Sequence, residues 1–264
     1  MHYDWVSFTT DYGTSDGFVA ACKGVIAGIA PRVRVLDVTH DVSPQDVRRG
    51  ATVLAHTVPY LPPAVHLAVV DPGVGTARRG VVVVTAASLL VGPDNGLLLP
   101  AADALGGVLA AYELTEPRFR LPVVSQTFHG RDIFAPAAAH LAIGVPPADF
   151  GAEVTDLVRL PEPRTVVSAR RLTSDIIGVD RFGNLQLAAT EAELAAFGLR
   201  TGDRVRVRHN RSTVDGRVGA TFGDVPLGTL LVHVDSAGQV ALAVNGGSAA
   251  EALGGRSGDV TLSR

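Results

Sequence analysis

Between residues 159 and 171 the chain reads RLPEPRTVVSARR, with two prolines and no helical period, and the apolar pattern differs on its two sides. Before it, short β-rich runs alternate with amphipathic stretches. Strands are expected at 5–9 and 33–38, helices at 16–29 and 46–58, and a further helix at 134–143. The apolar runs at 66–70, 80–86 and 89–92 leave little room for helices between them, so the parallel βαβ pattern gives way to a mixed sheet. After it, alternating segments at 176–180, 185–188, 203–209, 214–221, 230–234 and 240–244 are separated by Gly, Asn and Asp turns. The expected architecture is α/β. A Rossmann-like amino-terminal domain with a mixed central sheet covers residues 1–163, and a smaller carboxy-terminal antiparallel β-barrel domain covers 164–264, with 159–171 as the linker.

Composition removes several classes. Net charge is −3, which gives no general electrostatic footprint for nucleic acid. The longest apolar runs fall far short of the roughly 20 residues that span a bilayer, so no membrane partner is expected. Cys22 is the single cysteine, which leaves neither an intrachain disulfide nor a Cys-based zinc site. The first ten residues lack the basic and apolar regions of a signal peptide, and a cytoplasmic location is the expectation.

Polar residues then recur where strands end. Asp11-Tyr-Gly-Thr-Ser-Asp16 follows the first strand, and in an open α/β sheet ligands bind outside the carboxyl ends of strands. Two carboxylates there suit the hydroxyl or ammonium groups of a small ligand, while Ser15 or Asp16 could equally cap the following helix. Asp71-Pro-Gly-Val-Gly-Thr-Ala-Arg78 follows another strand; it lacks the third glycine of a dinucleotide fingerprint and runs into a strand instead of a helix. What remains is an Asp and an Arg bracketing a glycine turn, fit either for a ligand or for a salt-bridged turn. Thr127-Phe-His129-Gly-Arg-Asp132 precedes a helix and offers a histidine for proton transfer near neutral pH. His40, in Thr39-His40-Asp41, reads more simply as a packed residue. In the second half Asp180, Phe182, Asn184, Phe222, Ser236, Asn245 and Gly246 lie at turns, where Asn suits an adenine edge and Phe its face. A metal site from Asp11, Asp16, His40, Asp41 and Asp71 has no supporting spacing, and neither metal nor cofactor is expected.

Taken in order, the stretches TTDYGTSD, DVTHDVSPQDVRRGA, VDPGVGTARR, GPDNGLL, FHGRDIFAPAAAHLA, VDRFGNLQ and LAVNGGSAAE resemble the S-adenosyl-L-methionine hydrolases, or SAM hydroxide adenosyltransferases, relatives of the fluorinating and chlorinating enzymes. The resemblance spans residues 9–250. It implies hydrolysis of S-adenosyl-L-methionine by water attacking C5′ of the ribosyl group, giving adenosine and L-methionine. It also implies a homotrimer with substrate held between subunits. Asp71, Arg78 and His129 look like the hydrolase set, with Asp71 and His129 orienting and deprotonating the water and Arg78 fixing Asp71. Halogenating relatives typically carry Tyr in place of Asp71 and lack this His. Asp11 resembles the residue on the ribose hydroxyls, Asp16 and Asp180 those on the methionine ammonium, and Ser236 the one on its carboxylate. Phe128, Phe182 and Phe222 resemble walls around the nucleoside; Asn184 and the backbone at Asn245 and Gly246 resemble the adenine-reading edge. Gln45 stands where several relatives have an aromatic residue, and Ala237 where the fluorinating enzymes have Arg. A halide-dependent adenosyltransferase and a non-catalytic adenosine or S-adenosylmethionine sensor are the alternatives.

Overall fold

In WVSFTT the side chains alternate across a pleat, and the segment forms strand β1 (Trp5–Thr10) of a computed structural model that describes residues 2–264. The chain continues through α1 (Phe18–Ile29), β2 (Arg34–Thr39), α2 (Val47–Thr57), β3 (Val65–Val69), β4 (Gly80–Val84), β5 (Leu89–Pro93), α3 (Leu99–Ala104), β6 (Ala110–Glu113) and α4 (Ala135–Ala142). These strands make one sheet in the order β2-β1-β3-β5-β4-β6. The first four are mutually parallel, whereas β4 runs antiparallel to both β5 and β6. The sheet is mixed because nothing longer than a turn joins β4 to β5. Since β1, β3 and β5 are parallel, the residues that follow them, Asp11, Asp71 and Asn95, come out on one rim.

Both faces of the sheet are covered. Val6, Phe8, Leu67 and Val69 pack with Val19, Cys22 and Ile26 of α1 and with the small residues Ala135, Ala138 and Ala142 of α4. Ala68, Val70, Val81, Val83 and Leu90 face Ala51 and Leu54 of α2 and Ala101 and Ala102 of α3. Phe8, Ile26, Leu54 and Leu67 are fully buried, and each contributes about 1.5–3 kcal/mol relative to exposure. Helix α1 begins at Phe18 behind Gly17 with no side-chain cap, so neither Ser15 nor Asp16 serves as its cap.

Residues up to Leu160 form one compact unit and those from Pro161 a second. The second comprises β7 (Thr165–Val167), β8 (Arg171–Val179), β9 (Leu185–Thr190), α5 (Glu191–Phe197), β10 (Arg204–His209), β11 (Ser212–Val218), β12 (Leu230–Val234), β13 (Gln239–Val244), α6 (Ala249–Ala252) and β14 (Asp259–Ser263). The order β14-β10-β11-β12-β13-β9-β8 closes on itself through β14 and β8 into a seven-stranded barrel. Its pairs are antiparallel except β11 with β12. Inward residues of alternating strands, among them Leu172, Leu185, Val205, Val207, Val232, Leu242 and Leu262, fill it. The stretch expected as a plain linker contains β7, which pairs with β8; three residues are too few to show a period. Helix α5 also departs from the all-strand expectation. It carries a capping box, Thr190 with Glu193, and ends on left-handed Gly198.

Candidate functional site

The rim of the amino-terminal sheet gathers three ionisable side chains. Arg78 Nε donates to Asp71 Oδ1 at 3.0 Å and Arg78 Nη2 to Asp71 Oδ2 at 2.5 Å, a bidentate fork. Only 9% of the Arg78 side chain and 6% of the Asp71 side chain is exposed, so solvent screens the pair weakly. Arg78 Nη2 also lies 3.2 Å from His129 Nδ1. A guanidinium has donors and no acceptor, so Nδ1 accepts and the neutral imidazole carries its hydrogen on Nε2. Burial first, then Arg78, holds the His129 pKa below the usual histidine range; Asp71 and Asp132 act the other way.

Local structure fixes each of the three. Asp71 follows β3 after one residue, Val70, whose carbonyl accepts from Asn95 Nδ2 at 2.9 Å, pinning the strand end. The turn to Arg78 needs Gly75: its φ is +77°, and a Cβ there would sit 2.4 Å from the Gln126 carbonyl oxygen. That contact presses the turn onto the loop that leads to His129. The loop is in turn organised by Asp132, whose buried carboxylate accepts from Ser125 N at 2.8 Å and from Arg131 Nε at 2.6 Å. Ser125 Oγ accepts from Phe128 N. After His129 the backbone makes a π-helical turn, Gly130–Phe134, before α4, a local widening that is frequent at functional sites.

The Asp11 loop is held as firmly. Thr10 Oγ1 accepts from Tyr12 N and hydrogen-bonds His40 Nδ1 at 2.9 Å. His40 Nε2 lies 3.1 Å from Asp37 Oδ1, and the His40 carbonyl accepts from Gly13 N. His40 is buried and packs edge-on to Phe8, as the sequence reading expects. Asp11 Oδ2 accepts from Gln45 N at 2.8 Å; Gln45 is one of two non-glycine residues with positive φ among the described residues, +66°. Tyr12, Phe18 and Phe128 form an aromatic cluster, with centroids 5.7 Å apart for Tyr12–Phe128 and 5.1 Å for Phe18–Phe128. Asp16 is exposed. No local pattern in the sequence singles out Tyr12, Asp132 or Asn95. Asp132 and Asn95 had no signal beyond their place inside matching motifs.

In the second unit, Asp180 organises its own turn, with Oδ1 accepting from Phe182 N and Asn184 N and Oδ2 from Asn184 Nδ2 at 2.7 Å. Phe182 is 76% exposed and Phe222 48% exposed, so both rings lie outside the barrel core with a face open to solvent. Ser236 is exposed in a turn held by Asp235. The Asn245 N–H is committed to the Thr229 carbonyl and its side chain to the Val225 carbonyl. Gly246, with φ +74°, is the member of that pair whose own N–H makes no internal hydrogen bond among the described residues. Among the described residues, no group of three or more His, Cys, Asp or Glu is placed to hold a metal ion, and no helix is long and apolar enough to cross a membrane.

Comparisons with known proteins identify the family. Residues 6–151 match the family model for the SAM hydroxide adenosyltransferase N-terminal domain and residues 174–261 that for its C-terminal domain. The chain is 60% identical over 257 residues to the (R)-S-adenosyl-L-methionine hydrolase of Salinispora arenicola, covering 97% of this chain and 95% of that one. It is 30% identical over 271 residues to the fluorinase of an Actinoplanes species, covering 91% and 90%. A crystal structure of an uncharacterized conserved protein from Thermotoga maritima superposes with a TM-score of 0.91 at 36% identity, covering 98% of this chain and 100% of that one.

Proposed function

The chain belongs to the SAM hydroxide adenosyltransferase family, and from that membership we propose that it hydrolyses S-adenosyl-L-methionine to adenosine and L-methionine. The observation that carries the reading is the buried fork of Arg78 on Asp71 with His129 against the same guanidinium, at the sheet rim where α/β folds bind ligands. In the reaction a water oxygen forms a bond to C5′ as the C5′–S bond breaks. Sulfur keeps the electron pair and leaves as the neutral thioether of methionine, so no acid is needed for it. The water loses one proton. The demand therefore falls on aligning a poor nucleophile at roughly 3–3.5 Å behind the C–S bond and on accepting its proton.

The family resemblance implies that Asp71 and His129 deprotonate the water jointly; from the hydrogen-bond geometry we infer a division of that work. With Nδ1 given to Arg78, neutral His129 offers Nε2–H to the water oxygen, and Asp71 is the acceptor for the proton. Arg78 spends its donors on holding both. Base assistance of this kind contributes about 10²- to 10⁴-fold. A carboxylate at this point opposes a halide nucleophile by repulsion in a poorly solvated site, and the greater identity to the hydrolase than to the fluorinase points the same way.

The same proposal places Asp11 on the ribose hydroxyls, Asp16 and Asp180 on the methionine ammonium and Ser236 on its carboxylate. Phe128, Phe182 and Phe222 stand around the nucleoside, with Asn184, Asn245 and Gly246 at the adenine edge. We infer a cytoplasmic homotrimer, with substrate bound between subunits. The name of the relative specifies the (R) sulfonium; with ribose and amino acid both anchored, inversion at sulfur redirects the methyl group, so one epimer is the expected substrate. The deciding experiment incubates purified protein with an epimer mixture and follows adenosine, methionine and each epimer. Release of adenosine with one epimer consumed supports the reading. Formation of 5′-halo-5′-deoxyadenosine in added chloride or fluoride would replace it with the halogenase reading, and unchanged substrate at stoichiometric protein with the sensor reading.

A further inference from the structure

A water molecule has two hydrogens and two lone pairs, and the groups described so far satisfy three of the four. One hydrogen goes to Asp71, one lone pair accepts from His129 Nε2–H, and the other lone pair must face C5′. The second hydrogen has no acceptor. We propose that Tyr12, to which no role has been assigned, supplies it: its hydroxyl oxygen receives the second hydrogen of the attacking water and fixes the direction of the attacking lone pair. This rests on the hydrolase reading.

Three observations converge on that hydroxyl. Tyr12 Oη stands against Gly130, the neighbour of His129, so closely that a Cβ at residue 130 would fall 2.0 Å from it. It has no hydrogen-bond partner among the described residues, although the ring is held on two sides, 5.7 Å from Phe128 and 6.1 Å from Phe18. Burial pushes the phenol pKa up. The negative forms of Cys22, Asp11 and Asp71 add to that effect and Arg78 subtracts, so the group is neutral and close enough to feel the Asp71–Arg78 pair. A neutral phenol both accepts and donates. It can take the water's hydrogen without competing with Asp71 for the reacting proton. The absence of a side chain at Gly130 is what lets the phenol reach this position.

The test measures adenosine release and thermal melting for wild type, Tyr12→Phe, Gly130→Ala and the double variant. Tyr12→Phe keeps the ring and its edge contacts and removes only Oη. It is expected to lower kcat about tenfold while KM for S-adenosyl-L-methionine and the melting temperature stay near wild type. A kcat within about twofold of wild type overturns the proposal, as does a loss carried wholly by KM. Gly130→Ala drives the hydroxyl away, so it is expected to slow the wild type more than it slows the Tyr12→Phe background; equal effects in both also overturn the proposal. Wild type that releases no adenosine would sink the hydrolase reading itself, whereas active wild type with undiminished Tyr12→Phe sinks this inference alone.

Discussion

Arg78 Nη2 stands 3.2 Å from His129 Nδ1 while holding Asp71 Oδ2 at 2.5 Å. One guanidinium thus sets the orientation of a carboxylate and the tautomer of an imidazole together. Because it can only donate, Nδ1 accepts and His129 carries its hydrogen on Nε2, which under the proposed mechanism leaves Asp71 to take the proton.

That division separates two variants that a general-base histidine would not separate. Glutamine can place an amide N–H near the position of imidazole Nε2, and asparagine reaches only the Nδ1 position. His129→Gln is therefore expected to keep clearly more single-turnover activity than His129→Asn or His129→Ala, which should fall together. If all three fall equally by the roughly 10²- to 10⁴-fold typical of a lost base, His129 takes the proton and the assignment to Asp71 is wrong. Asp71→Asn, which keeps the shape and loses the charge, should lose kcat by the same range with KM little changed.

The pH profile follows from the same contact. Protonating His129 would put a hydrogen on Nδ1 facing Arg78, and burial, followed by Arg78, holds its pKa below the ordinary value. The active form is the neutral one, so kcat/KM should be level near neutrality and fall on the acid side, with the inflection below about 6.5. Removing the neighbouring cation removes one cause of the depression. Arg78→Gln, though much slower, should show an acid limb moved to higher pH, and an unmoved limb would disconnect Arg78 from His129. Arg78→Lys keeps a charge but loses the planar fork, so it should be slow without that shift.

Much of this was legible in the sequence where the physics is local. The βαβ alternation, the crowded strands around residues 80–92 and the alternation after residue 176 each carry their own period, and the sheet and the barrel follow. Asp71 and Arg78 were visible because both sit at the end of a strand around a glycine turn. Their junction with His129, 51 residues away, was not, since the contact of Gly75 with the Gln126 carbonyl comes from tertiary packing that no local pattern records. Tyr12 carries no local signal for a similar reason: its hydroxyl gains meaning from Gly130, in a turn whose π-helical form leaves no periodic mark. Strand β7 was missed because Thr165–Val167 is too short to show alternation. Helix α5 has a legible start in Thr190 and Glu193 at cap spacing, but at seven residues between two strands its period is too short to stand out.

Gly75 offers a test of the packing that joins the turn to the histidine loop. At φ +77° with a carbonyl oxygen 2.4 Å from any added Cβ, Gly75→Ala meets both backbone strain and a clash. The expected cost is about 2 kcal/mol of unfolding free energy, together with a larger proportional loss of kcat as Arg78 and the loop before His129 move apart. Gly73→Ala is the control. Its nearest contacts, 3.5 Å and 3.6 Å to the Arg78 side chain, are ordinary van der Waals distances. Chemical denaturation and kinetics of both variants check this, and equal behaviour of the two would remove Gly75 from the account of the site.

Away from the rim, His66 gives the amino-terminal unit a stability that depends on pH. It is fully buried on β3, Nδ1 shares a 2.8 Å hydrogen bond with Ser7 Oγ, and Nε2 has no partner. Burial lowers its pKa to about 4, against roughly 6.5 for an exposed histidine. Above about pH 6.5 the ring is neutral folded and unfolded, and His66 makes no difference to stability between those pH values and higher ones. As pH falls from there toward 4 the unfolded chain takes up a proton that the folded chain refuses, and stability drops by about 1.4 kcal/mol per unit, near 3 kcal/mol across the window. His129 and His140, both held below the ordinary value by burial first, act in the same direction. Urea denaturation at a series of pH values should show this slope. His66→Leu should be less stable at neutral pH, because Ser7 loses its partner, yet its slope between pH 6.5 and about 4 should be shallower by close to one proton. An unchanged slope in the variant would mean that His66 is protonated in the folded state, and hence that water reaches Nε2.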